Sequence, residues 1–238
     1  MISDIHGNLA ALEAVLAAID AAKPDALWCL GDVVGYGARP NECCEAVRRR
    51  ASICLAGNHD LAVRGTLDLI DFSGDAGLAA TWTRGGLHDS ARAFLDSLDT
   101  HATTEGAELY HASARDPVWE YVLSDEAAVI TLMLTEAPVV LVGHSHVALN
   151  VSLRGGDVEG GLAPDGTTLG LGERRWLINP GSVGQPRDGD PRAAWLELDQ
   201  DAGTAVFHRV EYDIARTQSE IVAAGLPHAL AQRLAHGL

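Results

Sequence analysis

The sequence predicts an α/β protein in which helices pack around mixed β-sheets. Helix and strand patterns alternate through the first two thirds of the chain, and alternating apolar positions typical of antiparallel strands follow. With 238 residues, 47% of them hydrophobic, the chain can bury one large core. We therefore expect a single domain over residues 1–238.

Four segments have the apolar spacing or composition of helices. The first is predicted at residues 8–22, where Asn8 can cap the helix and one face carries Leu9, Leu12, Val15, Leu16 and Ile19. The others are predicted at residues 41–50, at 75–98 with a break near Gly85 and Gly86, and at 126–136.

Short apolar runs between these helices predict strands. They lie at residues 26–30, 52–56, 108–110, 139–142 and 176–178. Alternating patterns at 193–198 and 205–210 predict two antiparallel strands. The stretch 154–175 is rich in Gly, with Asp and Pro, and is predicted to be a loop.

Composition excludes several classes of partner. The chain has 33 acidic residues against 17 Lys and Arg, a formal net charge of −16, so long nucleic acids are not expected to bind. No run approaches a membrane-spanning length, and no secretory signal pattern opens the sequence, so we expect a cytoplasmic protein without a membrane partner. The oligomeric state is open, and a homo-oligomer is one alternative. The four cysteines, without CxxC spacing, are predicted to be free thiols.

Polar residues that bind metals follow several predicted strands directly. These residues are Asp4 and His6, Asp32, Asn58, His59 and Asp60, His111, and His144 and His146. In open α/β sheets the loops at the carboxyl ends of the strands converge on one crevice. The sequence therefore predicts that these side chains meet in space.

The chemistry of these side chains indicates a metal site. Carboxylates, imidazoles and one carboxamide form a ligand set without thiolate, which suits Mn, Fe, Zn or Ni. Seven of these nine residues as ligands are already too many for one ion, whereas two ions that share a bridging carboxylate can use all seven. Two such ions hold a phosphoryl group and lower the pKa of a water between them. A phosphoester hydrolase is therefore predicted.

The motifs also resemble one known family. Asp4-x-His6, Gly31-Asp32, Gly57-Asn58-His59-Asp60, His111 and Gly143-His144-Ser145-His146 occur in the order found in the calcineurin-like metallophosphoesterase superfamily. The stronger likeness is to its small bacterial and archaeal phosphodiesterase branch, and it spans residues 2 to roughly 200. The resemblance implies a four-layer α/β/β/α sandwich with two mixed β-sheets, the metallophosphatase fold.

The resemblance also implies roles for individual residues. One metal would be held by Asp4, His6 and His146, the second by Asn58, His111 and His144, with Asp32 bridging the two. The catalytic residue His59 would contact the phosphate, and would either stabilise the transition state or protonate the leaving oxygen. A bridging water or hydroxide would attack phosphorus in line. The cofactors would be two divalent transition-metal ions, with Mn favoured over Zn, Fe or Ni.

The chain departs from the pattern of the family's protein phosphatases. Those enzymes carry Asp-Arg where this chain has Gly35-Tyr36, so protein phosphatase activity is not expected and the partner of His59 is open. A small phosphodiester or phosphomonoester is the expected substrate. The alternatives are a nuclease-type phosphodiesterase and a catalytically silent binding scaffold.

Some residues have two interpretations from sequence alone. Asn8 either caps the first helix or contacts the phosphate. Arg39 either donates hydrogen bonds to the phosphate or is an exposed loop arginine. Asp60 is expected to support its loop. Specificity is expected to depend on the segments 61–75 and 154–175.

Overall fold

The computed structural model describes residues 1–72 and 74–238, in which helices and strands alternate. The helices are α1 (Leu9–Ala22), α2 (Pro40–Arg50), α3 (Asn58–Arg64), α4 (Gly74–Gly86), α5 (Asp89–Asp96), α6 (Asp125–Leu134), α7 (Ile214–Ala223) and α8 (His228–Gln232). The strands are β1 (Trp28–Cys29), β2 (Ile53–Cys54), β3 (His101–Thr104), β4 (Ala107–Tyr110), β5 (Val139–Leu141), β6 (Ala148–Arg154), β7 (Asp157–Leu162), β8 (Thr168–Gly170), β9 (Arg175–Pro180), β10 (Ala193–Asp199) and β11 (Thr204–Val210). Short 3₁₀ turns cover Leu69–Asp71 and Arg233–His236.

The predicted helices are confirmed, each within about two residues of its ends. The break near Gly85 and Gly86 is present, because α4 ends at Gly86 and α5 begins at Asp89. Helices α3, α7 and α8 were not predicted. Across residues 1–72 and 74–238, the helices are all too short or too polar to cross a membrane.

The first sheet combines parallel and antiparallel strands around a very short N-terminal segment. Strands β1 and β2 pair in parallel, and β10, β11 and β8 form an antiparallel set. Ile2 connects the two parts on one side: its N–H donates to the carbonyl of Trp28 (2.9 Å), and its carbonyl accepts from Leu30 (2.9 Å). On the other side, the N–H of Leu196 donates to the carbonyl of Met1 (3.0 Å).

The second sheet has the strand order β3-β4-β5-β9-β6-β7. Strands β4, β5 and β9 are parallel, and the remaining pairs are antiparallel. The prediction of a loop at residues 154–175 is wrong, because they contain β7 of this sheet and β8 of the first sheet. Gly155 and Gly156, both with positive φ, form the two-residue turn between β6 and β7, a hairpin signal that the sequence contains. Strand β7 was not predicted because it contains glycine and mostly exposed residues and so lacks an apolar pattern. Pairing at the edge of the sheet stabilises it rather than burial.

The core has three parts that define the layers. Helices α1, α2 and α5 pack on one face of the first sheet through residues such as Leu12, Val47 and Leu95. Between the two sheets, Leu30 and Phe207 pack against Leu109, Leu141 and Ile178. On the outer face of the second sheet, Ala128 and Leu132 of α6 cover Val140, Val142 and Leu177. Because successive strand residues face opposite sides, Leu141 points between the sheets and Val140 towards α6. The mixed α/β fold and its α/β/β/α layering agree with expectation.

Candidate metal centre

Five chain segments place the predicted ligands at one edge of the two sheets. Each segment leaves a strand or bridge and turns at the same edge, as open α/β sheets require. The side chains of Asp4, His6, Asp32, Asn58, His59, His111, His144 and His146 are all buried there. The structure therefore brings together every residue that the sequence singled out as a metal ligand.

The first ligand group consists of Asp4, His6, Asp32 and His146. One ligand atom from each lies within 4.8 Å of the others. The Nε2 atoms of His6 and His146 are 3.1 Å apart, and Asp4 Oδ1 lies 3.4 Å from Nε2 of His146. Two carboxylates and two imidazole nitrogens packed this closely match the ligand set of a divalent metal site.

The second ligand group consists of Asp32, Asn58, His111 and His144. Ligand atoms of Asp32, His111 and His144 lie within 4.8 Å of one another. The amide oxygen of Asn58 joins them, 3.3 Å from Nε2 of His111. Asn58 is the first residue of α3, so the helix start holds its side chain at the edge of the sheet.

Asp32 belongs to both groups through one oxygen. Its Oδ2 lies 3.5 Å from Nε2 of His6 and 3.5 Å from Nε2 of His111. Its other oxygen, Oδ1, accepts the N–H of His59 (2.9 Å). Asp4 is held in the same way, because its Oδ2 accepts the N–H of His144 (3.1 Å). Within residues 1–72 and 74–238, Asp4 Oδ1 and Asp32 Oδ2 are buried without a hydrogen-bond donor, as carboxylate oxygens kept for a cation would be.

Main-chain carbonyls orient the histidines. In three of them Nδ1–H donates to a carbonyl and Nε2 faces the ligand groups; the pairs are His6 with Val34 (3.2 Å), His111 with Leu30 (2.9 Å) and His146 with Gln185 (2.7 Å). His144 is reversed, because its Nε2 lies 3.3 Å from the carbonyl of Trp119 and leaves Nδ1 free. Such contacts select the tautomer that binds a metal.

Burial keeps most of these imidazoles neutral. It lowers the pKa of His6 and His146 well below the ordinary value, and it lowers the pKa of His144 to about 3. Burial also lowers the pKa of His59 to about 4. A neutral imidazole has the lone pair that metal coordination requires.

Asp32 and His111 behave differently because they face each other. Burial opposes the charged form of both, but the imidazole of His111 holds the pKa of Asp32 well below its ordinary value. Asp32 in turn raises the pKa of His111 to about 9. Burial raises the pKa of Asp4 to about 7. The raised pKa values mean that His111 and Asp4 hold protons when no cation balances the negative charge of the site. Bound cations would displace these protons, since metal ligands bind in their deprotonated forms.

Backbone strain is concentrated at the same residues. Among residues 1–72 and 74–238, six non-glycine residues have positive φ, and five of them are Asp4 (54°), His6 (51°), Asp32 (52°), His144 (62°) and His146 (61°). The sixth is Lys23, which ends α1. This conformation costs roughly 1–3 kcal/mol for each non-glycine residue and is found where function requires it. The strained backbone therefore indicates a functional site at these positions, independently of the clustering of their side chains.

His59 lies beside the first ligand group, in an aromatic setting. Its ring centroid is 4.9 Å from that of His6, 4.5 Å from Tyr36 and 5.0 Å from Phe72. The sequence left open which residue is the partner of His59. In the described part of the chain, its Nδ1 is buried without a hydrogen-bond partner. Across the described residues, Asp60 forms no hydrogen bond with this ring. Its carboxylate instead accepts the N–H groups of Gly57, Val33 and Val34, the loop-supporting role expected from sequence.

Asn8 has the capping role that the sequence offered as one alternative. Its Oδ1 accepts the N–H of Ala11 (3.2 Å) at the start of α1 and the hydroxyl of Thr217 (2.8 Å) in α7. Its Nδ2 donates to the carbonyl of Gly184 (2.9 Å). The alternative role, in substrate binding, stays a prediction.

Replacing Asn8 with Ala separates these two roles. We expect the free energy of unfolding to fall by about 2 kcal/mol, because the helix loses its cap and buried partners lose hydrogen bonds. Urea denaturation measures this, with Thr217→Val as the control that removes only one of the contacts. Unchanged stability combined with a raised KM would instead favour the substrate-binding role.

The structure adds site residues that the sequence analysis did not single out. Arg39, for which the sequence left phosphate binding and an exposed loop position as alternatives, contacts the carboxylates of Glu42 (2.9 Å) and Glu220 (3.1 Å), and its role in substrate binding stays a prediction. Two other arginines, Arg187 and Arg233, lie over the ring of Tyr36. Only the tertiary contacts distinguish these two arginines from the other arginines of the chain.

Aromatic side chains form a further wall of the site. The ring of Tyr121 stacks on that of His144, with centroids 4.1 Å apart, and Phe72 contacts Trp119 at 5.3 Å. Of the two segments expected to set specificity, 61–75 supplies Phe72, and its Ser73 lies outside the described residues. Residues 154–175 instead form β7, β8 and their connections.

Comparison with known families identifies the family to which this chain belongs. The model of the calcineurin-like phosphoesterase superfamily domain matches residues 1–201. The chain belongs to this superfamily. Membership confirms the resemblance seen in the motifs, and it implies divalent metal ions. The two ligand groups, with their buried oxygens that lack donors, fit such ions.

Relatives from bacteria and archaea agree with this family. A metallophosphoesterase from Sphaerobacter thermophilus is 42% identical, with a TM-score of 0.89 over 100% of this chain and 97% of that one. An uncharacterized protein of Methanocaldococcus jannaschii is 37% identical over 98% of this chain and 96% of its own length. A hypothetical protein from Pyrococcus horikoshii, 21% identical, shares the fold with a TM-score of 0.80 over 100% of this chain and 97% of that one.

Proposed function

We propose that the protein is a binuclear metal-dependent phosphoesterase that hydrolyses small organic phosphoesters. The observation that carries this proposal is Asp32 Oδ2, which lies at the same distance, 3.5 Å, from a histidine of each ligand group. A carboxylate oxygen in this position suits a ligand shared by two ions. We propose two divalent transition-metal ions, with Mn favoured over Zn, Fe or Ni.

The chain's own residues hold and orient the reacting groups. When bound, the ions supply positive charge to the phosphoryl oxygens and lower the pKa of the attacking water. Asp4, His6 and His146 would hold one ion, and Asn58, His111 and His144 the other. His59, fixed through its main-chain N–H on Asp32, would contact the phosphate.

We propose phosphodiesterase activity ahead of protein phosphatase activity. Gly35 stands where the protein phosphatases of the superfamily carry Asp. A Cβ at Gly35 would lie 2.7 Å from His6 Nδ1 and 2.9 Å from His59 Nδ1, so a carboxylate side chain there would displace both rings. This packing supports a site that works without a carboxylate on His59.

Reconstitution of the metal-free protein tests the proposal. The purified chain is loaded with Mn, Zn, Ni or Fe and assayed with bis(p-nitrophenyl) phosphate, p-nitrophenyl phosphate and cyclic nucleotides. We expect about two ions per chain and hydrolysis that depends on them. Failure of every metal to produce hydrolysis, or binding of only one ion at saturation, would contradict a binuclear phosphoesterase.

Replacing His59 with Asn is expected to separate chemistry from metal binding. Loss of the imidazole beside the phosphate should lower kcat by roughly a hundredfold to ten-thousandfold, as removal of a general acid or a transition-state donor does. Metal content, measured by elemental analysis, should not change. His101→Asn, at an exposed histidine of β3, is the control and should leave both quantities unchanged. A His59 variant that loses its metal would make this residue a ligand.

A further inference from the structure

Two arginines from distant parts of the chain converge on Tyr36 at the rim of the metal centre. The guanidinium carbon of Arg233 lies 4.4 Å from the centre of the Tyr36 ring, and that of Arg187 lies 5.8 Å from it. Nη2 of Arg187 also lies 3.3 Å from the Tyr36 hydroxyl. We refer to Arg187 and Arg233 as the arginine pair.

The arginine pair has neither the carboxylate partners nor the full set of main-chain partners that the other described arginines use. Ten of those form ion pairs, and Arg64 and Arg175 each donate to several main-chain carbonyls. Arg187 donates to two neutral groups, the hydroxyl of Tyr36 and Oε1 of Gln185. Nε and Nη2 of Arg233 are buried and have no hydrogen-bond partner within residues 1–72 and 74–238. Neither arginine is in an ion pair in this part of the chain.

Two guanidinium groups placed together repel each other, and within residues 1–72 and 74–238 neither has a carboxylate within ion-pair distance, although the chain has 33 acidic residues. Burial lowers the pKa of Arg233, and the neighbouring charge of Arg187 acts in the same direction, whereas Tyr36 and Asp75, which forms no ion pair with Arg233, act against them. An arrangement that opposes its own charges is expected where an anionic ligand completes it.

The arginine pair is tied to the ligand groups through Tyr36 and through the main chain. The Tyr36 ring lies 4.6 Å from the ring of His6 and 4.5 Å from that of His59. The N–H of Arg187 donates to the carbonyl of His146 (3.2 Å). Through the ring of Tyr36 the pair thus lies about one aromatic ring away from His6 and His59.

We propose that the arginine pair is a second anion subsite and that the substrate carries a second phosphoryl group beside the scissile phosphoester. This inference rests on the proposed phosphoesterase function. Two guanidinium groups offer forked donors that match phosphate oxygens, and their two charges balance a phosphate dianion. A single carboxylate would need only one of them.

The subsite depends on a part of the chain beyond the residues that the family model matches. The match ends at residue 201, whereas Arg233 belongs to the 3₁₀ turn Arg233–His236. Leu226, Leu230 and Leu234 pack this C-terminal region against Tyr36. The C-terminal helices therefore supply a substrate-binding arginine to a centre built by the first 201 residues.

A purely structural role for Arg233 is the competing explanation, because a cation over an aromatic ring stabilises packing by itself. The two roles differ in what they predict. A structural role affects thermal stability and changes the binding of all ligands alike. A second subsite affects specifically the ligands that have two phosphoryl groups.

The test compares methylphosphonate, which has one phosphoryl group, with methylenediphosphonate, which has two and is not hydrolysed. Inhibition constants are measured against bis(p-nitrophenyl) phosphate with the metal-loaded chain, and calorimetry on the metal-free chain gives the affinities without metal chelation. The variants are Arg187→Met and Arg233→Met, and Arg49→Met on the exposed face of α2 is the control. Arg187→Lys and Arg233→Lys keep the charge and provide folded variants if a Met variant unfolds.

We expect the wild type to bind methylenediphosphonate at least about tenfold more tightly than methylphosphonate, and each Met variant to lose most of that preference. The Lys variants should lose part of it, and Arg49→Met none. An unchanged preference in both arginine variants, or an equal loss for both probes, would overturn the subsite. Failure of the loaded wild type to hydrolyse bis(p-nitrophenyl) phosphate would instead overturn the proposed function, because the calorimetric preference does not depend on turnover.

Discussion

Asp32→Asn is expected to reduce kcat/KM by roughly a thousandfold or more, since it removes several kcal/mol of transition-state stabilisation by the metals. The change keeps the size of the side chain and removes its negative charge. The oxygen or nitrogen at the Oδ2 position still faces His6 and His111, but it no longer attracts two cations. Both ions should therefore bind more weakly, and elemental analysis after dialysis should find less than half of the wild-type metal.

The position of Asp32 makes this experiment more informative than a change at any other ligand. Asp4 supplies a ligand atom to the first group alone and contacts the second only through the main-chain N–H of His144, so Asp4→Asn should weaken mainly one ion. Asp96→Asn, at an exposed residue of α5, is the control for loss of a carboxylate and should retain full activity. Normal turnover by the Asp32 variant would rule out a shared carboxylate as the basis of catalysis.

Gly184→Ala is expected to lower the free energy of unfolding by about 3 kcal/mol or more, which corresponds to a fall in Tm of about 10 °C for a chain of this length. A Cβ at this position would lie 1.8 Å from the carbonyl oxygen of Ile5 and 3.0 Å from Cβ of Asn8. The first contact is with main chain, which cannot rotate away as a flexible side chain would. Residues 5–8 must therefore shift.

The same shift should affect the metal centre. The N–H of Gly184 donates to the carbonyl of Asp4 (2.9 Å), and its own carbonyl accepts from Asn8. Displacement of this segment moves Asp4 and His6 away from His146, so the variant should also bind less metal. Gly172→Ala is the matched control, because nothing lies within 4 Å of a Cβ built there. Differential scanning calorimetry decides the question, and equal Tm values for the two variants would contradict the packing argument.

The prediction of the strand ends from sequence succeeded because their signal is local. A buried strand such as β5 is a short apolar run, and His144 and His146 follow it within a few residues of the chain. The same holds for Asp32 after β1 and His111 after β4. Helix α1 was equally accessible, since its cap and its apolar face lie within one continuous segment.

Some elements were not predicted because their own sequence lacks an apolar pattern or because contacts with distant residues stabilise them. Strand β7 has mostly exposed residues and two glycines, so its identity depends on pairing with β6 rather than on its own apolar pattern. The C-terminal helices α7 and α8 are short and were not predicted, although they pack beside Tyr36. The environment of His59 also needed the fold, because its neighbour Asp60 turns towards main-chain N–H groups instead.

The sequence by itself determined which donor atoms are present, their order along the chain and the family to which they belong, because residue chemistry and strand periodicity are local properties. Only the tertiary structure decided that one oxygen of Asp32 faces both ligand groups, that five ligand positions have strained backbone, and that Arg187 and Arg233 meet at Tyr36. These contacts join residues that are distant along the chain, and Arg187 and Tyr36 are separated by 151 positions. Packing of the two sheets and the C-terminal helices brings them together, and no local pattern in the sequence encodes that distance.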